Sequence, residues 1–188
     1  MRMRSAVWLL LPLVVLQAQA AELYRLDSAN TRVSFGVRVL GVSWFSAQFA
    51  ILSGEFVRDR RAAASHLEVT VRTDSLACDN PWWKARLLSP VWFDAKRYPL
   101  ISLHADKVRF DDDGGATLEG QLSLHGHTRS VVLIVSRWIC TDRSLTGESC
   151  SFDAHTRIKR SDYGLPHGFW EGGDEVDIAI RGAAVRAV

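Results

Sequence analysis

Beyond its first twenty residues the chain reads as an all-β domain, a sandwich or barrel of about eight antiparallel strands. Three observations carry that expectation. Apolar and polar residues alternate with a period of two in one segment after another. Short clusters of Gly, Asp, Asn and Ser separate those segments at regular intervals. The period turns helical only once, for a few residues after Asn80.

The elements follow in order. Leu23-Tyr24-Arg25-Leu26-Asp27 opens the domain, and Ser28-Ala29-Asn30 turns it. From Arg32 to Val39, Val33, Phe35, Val37 and Val39 share one face while Arg32, Ser34 and Arg38 take the other, as in a half-buried strand. Gly41 breaks it. Trp44 to Val57 reads as one further strand, with Phe45, Ala47 and Phe49 in phase and a bend or bulge at Ser53-Gly54. A charged turn at Arg58-Asp59-Arg60-Arg61 leads to His66–Thr73, where Leu67, Val69 and Val71 point inward.

Asn80 is placed as an N-cap and Pro81 at the first helical position. Trp83 and Leu87 then share a helix face, and Ser89-Pro90 ends the helix. Val91 to Pro99 is an irregular aromatic connector holding Trp92 and Phe93. Leu100 to Phe110 is a strand with Ile101, Leu103 and Ala105 in phase, and Asp111-Asp112-Asp113-Gly114-Gly115 is a solvated loop tip. A hairpin comes next. Leu118, Gly120, Leu122 and Leu124 face one way, and Glu119, Gln121, Ser123 and His125 face the other. The expected turn is Gly126-His127, before the β-branched run to Val135. Phe152 to Arg160 carries Phe152, Ala154, Thr156 and Ile158 in phase. Glu175 to Arg186, with Val176, Ile178 and Ile180 inward, closes the domain.

Residues 1–20 are set apart. Met1-Arg2-Met3-Arg4 is a basic start, Ala6 to Leu16 is apolar apart from Pro12, and Ala18-Gln19-Ala20 supplies small residues for cleavage. This is the pattern of a secretory signal peptide, and the run falls short of the ~20 residues a membrane span needs. The expectation is a protein cleaved after Ala20 and released to the periplasm or beyond, with residues 21–188 as one domain.

Losing the leader removes Arg2 and Arg4, which leaves 21 basic residues against 21 acidic ones. A near-neutral chain without clustered basic charge is not a nucleic-acid binder. Of three cysteines, Cys140 and Cys150 flank a polar loop where two strands would leave and re-enter a sheet. In an oxidising compartment they are expected to pair. Cys78 is then a small, partly buried residue, or else a reactive thiol or a link to a second copy in a homodimer.

A barrel of about eight strands has an interior that side chains fill or that holds one small ligand. The inward set here is apolar, so any occupant is greasy; periodicity alone does not separate that case from a packed core. The candidate ligand-facing residues are Phe35, Val37, Phe49, Val69, Leu103, Leu122, Leu124, Phe152 and Ile178 on strands. Trp83 and Leu87 join them from the helix, and Trp92 and Phe93 from the connector. His125 and His127 straddle Gly126, which splays them, and with His104 they make no metal set. There is no nucleophile elbow, zinc-protease helix or phosphate loop, so no catalytic residue and no cofactor is assigned. A hydrolase or isomerase reading would have to recruit His125, Asp162 or Tyr163 near a cavity mouth.

Six ordered motifs give the chain a family resemblance. They are Tyr24-Arg25-Leu26-Asp27; Ser34-Phe35-Gly36-Val37; Leu87 to Pro99, with Phe93-Asp94 and Tyr98-Pro99; Gly120 to Thr128; Ile158 to Leu165; and Gly173 to Ile178. In that order they resemble the YceI family of secreted bacterial lipid-binding proteins. The resemblance implies an extended lipocalin-like antiparallel barrel whose channel takes a polyisoprenoid, a quinone tail or a fatty-acyl-like chain. It also implies a membrane-associated redox or lipid-handling partner. Two positions depart from the family pattern: Val39 stands where a His is usual, and Ala47 where a Gly is usual. Both bear on the ligand more than on the fold.

Overall fold

Strand alternation in this chain closes into a ring. The computed structural model describes residues 21–39, 43–50, 52–59, 65–143, 147–168 and 172–187. The leader, Gly41 and the tip of the loop after Arg143 lie outside them. The described residues form eleven strands and one α-helix: β1 (Glu22–Leu26), β2 (Arg32–Val39), β3 (Ser43–Phe49), β4 (Leu52–Arg58), β5 (His66–Arg72), β6 (Leu76–Ala77), α1 (Pro81–Leu88), β7 (Leu100–Phe110), β8 (Ala116–Leu124), β9 (His127–Arg143), β10 (Gly147–Lys159) and β11 (Glu175–Arg186).

β11 is the seam. Its C-terminal part pairs with β1 and its middle with β2, so β1 and β2 are two halves of one long strand. β3 pairs with β2 and β4 with β1; β6 pairs with β3 and β5 with β4. Taken as three interrupted strands plus β7, β8, β9, β10 and β11, the sheet is a closed antiparallel barrel of eight strands. A barrel, and not a sandwich, is therefore the outcome.

The joints have local causes. Between β1 and β2 the Asp27 carboxylate accepts from Asn30 Nδ2 at 2.7 Å and from the Ala29 amide at 3.0 Å, a side-chain-closed turn. The Asn30 bond, with help from the amides, holds that carboxyl below its ordinary value. Thr31, almost fully buried, accepts from the Ala183 amide and donates to the Ala183 carbonyl, standing in for the ladder where the strand is broken. Trp44–Val57 is also broken, between Phe49 and Leu52, and not at Ser53-Gly54 as expected. Gly54 lies inside β4 opposite Val69; a Cβ there would come 2.6 Å from the Glu68 carbonyl. That glycine serves close strand approach, which a sequence pattern reads as a bend.

The hairpin connector is His125-Gly126, one residue earlier than expected. Both residues have positive φ, 51° and 76°, as a two-residue type I′ turn requires. His127 begins β9. That strand runs well past Val135, with an extra residue, Ser136, inserted where Arg137 faces Asp153 and Val135 faces Ala154. The bulge shifts the inward phase from Leu133 and Val135 to Trp138 and Cys140. Cys140 and Cys150 are bonded, but as directly opposed residues within the ladder, not as flanks of a long loop. The strands continue on to Arg143 and start from Gly147. Cys78 is a free thiol.

α1 forms as predicted, with Asn80 Oδ1 accepting from the amides of Trp82 (2.9 Å) and Trp83 (3.4 Å). The aromatic connector folds back on it: Phe93 N donates to the Leu87 carbonyl at 2.9 Å, and Asp94 N to that of Ser89 at 3.0 Å. This hydrogen bonding turns Trp92 and Phe93 into the interior. The barrel core divides in two along its length. One cluster centres on Phe49, Leu87, Phe93 and Leu122; the other centres on Tyr24, Phe56, Leu118 and Phe152. Leu103 packs against both.

Candidate functional site

Each half of the barrel contains a cavity. The first, of about 150 Å³, lies under α1 and the connector. Of the thirteen candidates named from sequence it gathers twelve: Phe35 and Val37 from β2, Phe49 from β3, Val69 from β5, Trp83 and Leu87 from α1, Trp92 and Phe93 from the connector, Leu103 from β7, Leu122 and Leu124 from β8, and Ile178 from β11. Phe152 is not among them. It points inward as its phase demands, yet it lies in the other half, stacked on Trp138 with ring centroids 5.7 Å apart. Alternation gives the face of a strand and not the height along it, so this placement was not readable.

Aromatic rings close the first cavity. Phe35 stacks on Phe49 at 5.5 Å, and Phe93 meets both edge-on at 5.7 Å. Phe45 packs on Trp83 at 5.4 Å. Such pairs lock the wall in place. Ala47 is buried opposite Phe35, so the family's small residue has been exchanged for another small one. The side chain of Val39 lies outside the described residues.

Among the lining residues, hydroxyl and charged side chains come only from Thr156 and Arg160, and Trp92 adds an indole Nε1 that is buried without a hydrogen-bond partner among the described residues. Arg160 was missed as a cavity residue because an arginine at a strand end reads as solvated. It is 4% exposed. Its Nη2 donates to the Gly172 carbonyl at 2.6 Å and to that of Gly173, and its guanidinium lies 5.6 Å from the Trp92 ring centroid. Val131 and Leu133 were missed for another reason: their neighbours Val132 and Ile134 are apolar too, though they point outward and are exposed.

The second cavity, of about 680 Å³, occupies the opposite half. Small inward residues, Ala116, Ala154 and Ala184, leave it room. Leu133 lines both cavities and forms the waist between them. The Cys140–Cys150 bridge lies beside the second cavity. Tyr24 is fully buried nearby, its hydroxyl 3.2 Å from carboxylate oxygens of Glu22 and Glu148. Burial first, then the two carboxylates, pushes that phenol above its ordinary value.

The rings of His125 and His127 lie 6.3 Å apart at the hairpin tip, while His104 is on β7. His125 Nδ1 bonds the main-chain carbonyl of Tyr163 at 3.1 Å, so it ties the hairpin tip to the segment after β10. It does not meet the Tyr163 hydroxyl, which is buried without a hydrogen-bond partner among the described residues. His104 faces Glu68 at 3.4 Å. Asp174 accepts from the amide and hydroxyl of Ser161, both at 2.8 Å. Burial opposes its ionisation, but the Ser161 bonds outweigh it and keep the carboxyl below its ordinary value. The contact is structural, fastening the start of β11.

Fold and interior together define the class: a closed antiparallel barrel with two internal cavities, the first of them ringed by apolar side chains. Comparison with known proteins places it more narrowly. The YceI-like domain model matches residues 24–184, and the chain belongs to that family. The protein YceI of Escherichia coli O157:H7 is 27% identical over 160 residues, covering 84% of this chain and 83% of that one. Among solved structures, BcnA of Burkholderia cenocepacia superposes with a TM-score of 0.72 at 22% identity, over 85% of this chain and 99% of the other. A domain of Saccharophagus degradans, described as polyisoprenoid binding and implicated in plant cell wall breakdown, gives 0.65 at 16% identity, over 87% and 98%.

Proposed function

We propose that this protein holds one long apolar lipid inside the barrel and carries or sequesters it in the periplasm or outside the cell. The observation that carries the reading is the first cavity: an enclosure ringed by aromatic and aliphatic side chains, with Arg160 already engaged by two carbonyls and an indole ring. A chain that enters is bound by its removal from water, at about 0.8 kcal/mol per buried CH₂. Little polar recognition is then needed. The polyisoprenoid-binding description of the Saccharophagus degradans neighbour supports a polyprenyl-type chain, and a quinone tail or acyl chain has the same apolar character. The signal-peptide pattern of residues 1–20 supports export.

The test is native mass spectrometry of protein purified from its export compartment, with lipid extraction and identification. A co-purifying long-chain lipid and a mature chain starting at Ala21 are expected. A barrel that carries no lipid and takes up no fluorescent polyprenyl probe would sink the carrier reading.

A further inference from the structure

The outer side of α1 and of the connector after it takes no part in the cavity beneath. Yet the four most exposed large apolar side chains among the described residues are Val91, Trp82, Trp44 and Leu100. Trp82 is on α1, Val91 is in the connector, and Leu100 begins β7 directly after it. Trp44 is on β3 beside Phe45, the residue that packs on Trp83 of α1. Its own ring covers Gly36 on the outward face, where a Cβ would come 2.2 Å from it. Single exposed apolar residues are ordinary; four at the end of the barrel that α1 covers, two of them tryptophan, mark a contact surface.

The charge at that end is one-sided. From Pro81 to Pro99 the chain carries Lys84, Arg86, Lys96 and Arg97, all exposed, against one acid, the half-buried Asp94. Two acids stand before that stretch: Asp79, next to the N-cap, and Asp74, which Arg72 holds at 2.6 Å. Basic and acidic residues balance beyond residue 20, so this end is cationic and the remainder is not. The guanidinium groups of Arg86 and Arg97 lie over the rings of Trp82 and Tyr98, at 5.5 and 5.4 Å from their centroids.

That mixture selects the occupant. The core of a protein–protein interface is depleted of charged residues, whereas cations here interleave with the apolar groups. Indole rings settle at the head-group level of a bilayer, and Lys and Arg are drawn to anionic head groups.

We propose that the outer face of α1 and the connector docks on an anionic bilayer, with Trp82 and Val91 among the head groups and Lys84, Arg86, Lys96 and Arg97 against the lipid phosphates. The inner face of the same helix, Trp83 and Leu87, lines the first cavity, so docking brings that cavity's cover to the membrane. The surface goes beyond lipid holding and is tested apart from it, since vesicle binding needs nothing inside the barrel.

The experiment is flotation of the purified protein with vesicles of phosphatidylcholine alone or of phosphatidylcholine mixed with phosphatidylglycerol. Binding is expected to the mixed vesicles only, and to weaken as salt is raised. Lys84→Ala and Arg86→Ala should each weaken it about fivefold, the worth of one cation at an anionic surface. Trp82→Ala should weaken it as well, by removing an interfacial ring. Lys107→Ala with Arg109→Ala takes two exposed cations from the far part of β7. That pair should change binding by less than about twofold, because it lies more than a Debye length from the docked face. All the substituted side chains are exposed, and unchanged unfolding midpoints check that each variant is folded.

Equal binding to both vesicle types overturns the anionic-bilayer surface. So does a loss from the β7 pair as large as that from Lys84→Ala and Arg86→Ala together, which would show net charge acting without a defined face. Binding to neither vesicle overturns it and leaves the patch to a protein partner. None of these results bears on lipid held inside the barrel.

Discussion

Arg160 lies across the face of Trp92, guanidinium carbon to ring centroid 5.6 Å, while its Nη2 holds the carbonyls of Gly172 and Gly173. One side chain thus joins the connector after α1 to the segment entering β11, and it does so with a charge that is 4% exposed.

Arg160→Ala removes the cation and leaves two carbonyls and an indole face without their partner, so a loss of about 3 kcal/mol is expected. Arg160→Lys keeps the charge but not the planar fork, and should fall between. Urea unfolding of the three proteins, with unchanged m-values, checks the order. A wild-type-like midpoint for the alanine variant would show that the contact is not holding the two segments together.

The Cys140–Cys150 bridge spans ten residues. In the chain-entropy view, closing a loop of that size contributes about 2–3 kcal/mol. Reduction with dithiothreitol should therefore lower stability by that amount, and Cys140→Ala with Cys150→Ala should reproduce the shift and abolish further response to reductant. Thiol labelling of the unfolded, unreduced protein should find Cys78 alone.

Those two cases show what the chain made legible. Phases in β2, β5, β7, β8 and β11 were plain because polar outward residues punctuate them, as Arg32, Ser34 and Arg38 do around Phe35 and Val37. They delivered the wall of the first cavity. β9 was opaque: Val132 and Ile134 are apolar yet exposed, and the Ser136 bulge reverses the phase before Trp138. The second chamber was opaque for a related reason, since Ala116, Ala154 and Ala184 carry weak burial signals. Arg58 falls in what reads as a charged turn, and Trp138 lies beyond Val135, where the readable strand run stops. Arg160 was hidden because only tertiary structure brings two glycine carbonyls to it.

Tyr163 yields a pH prediction. Its phenol is pushed up to about 12, by burial first and then by the charge of Asp162, with Arg129 partly opposing. A phenol whose folded value is raised favours the fold in its neutral form. That contribution is complete below the ordinary value of 10.0 and is lost as pH climbs through about 12. Tyr24 is shifted in the same direction, so the two are separated by substitution. Tyr163→Phe should soften the stability loss between pH 10 and 12 and, because the hydroxyl has no partner, leave neutral-pH stability unchanged or slightly raised. Phenolate absorbance of wild type minus variant should show a step near pH 12.

The waist tests how far a bound chain reaches. Leu133 borders both cavities, and Leu103 packs on both core clusters. If a ligand threads the waist, affinity grows with chain length well beyond what the first cavity holds, because each further methylene buried adds about 0.8 kcal/mol. Leu133→Trp places a larger ring at that point, at an overpacking cost of about 1–3 kcal/mol in stability. It should leave short chains bound nearly as in wild type and flatten the rise for longer ones. A homologous series of methyl ketones, titrated against both proteins, reads this out as two curves that coincide and then part at one chain length. Parallel curves would place the whole chain on one side of Leu133, because a block at the waist then has nothing to interrupt.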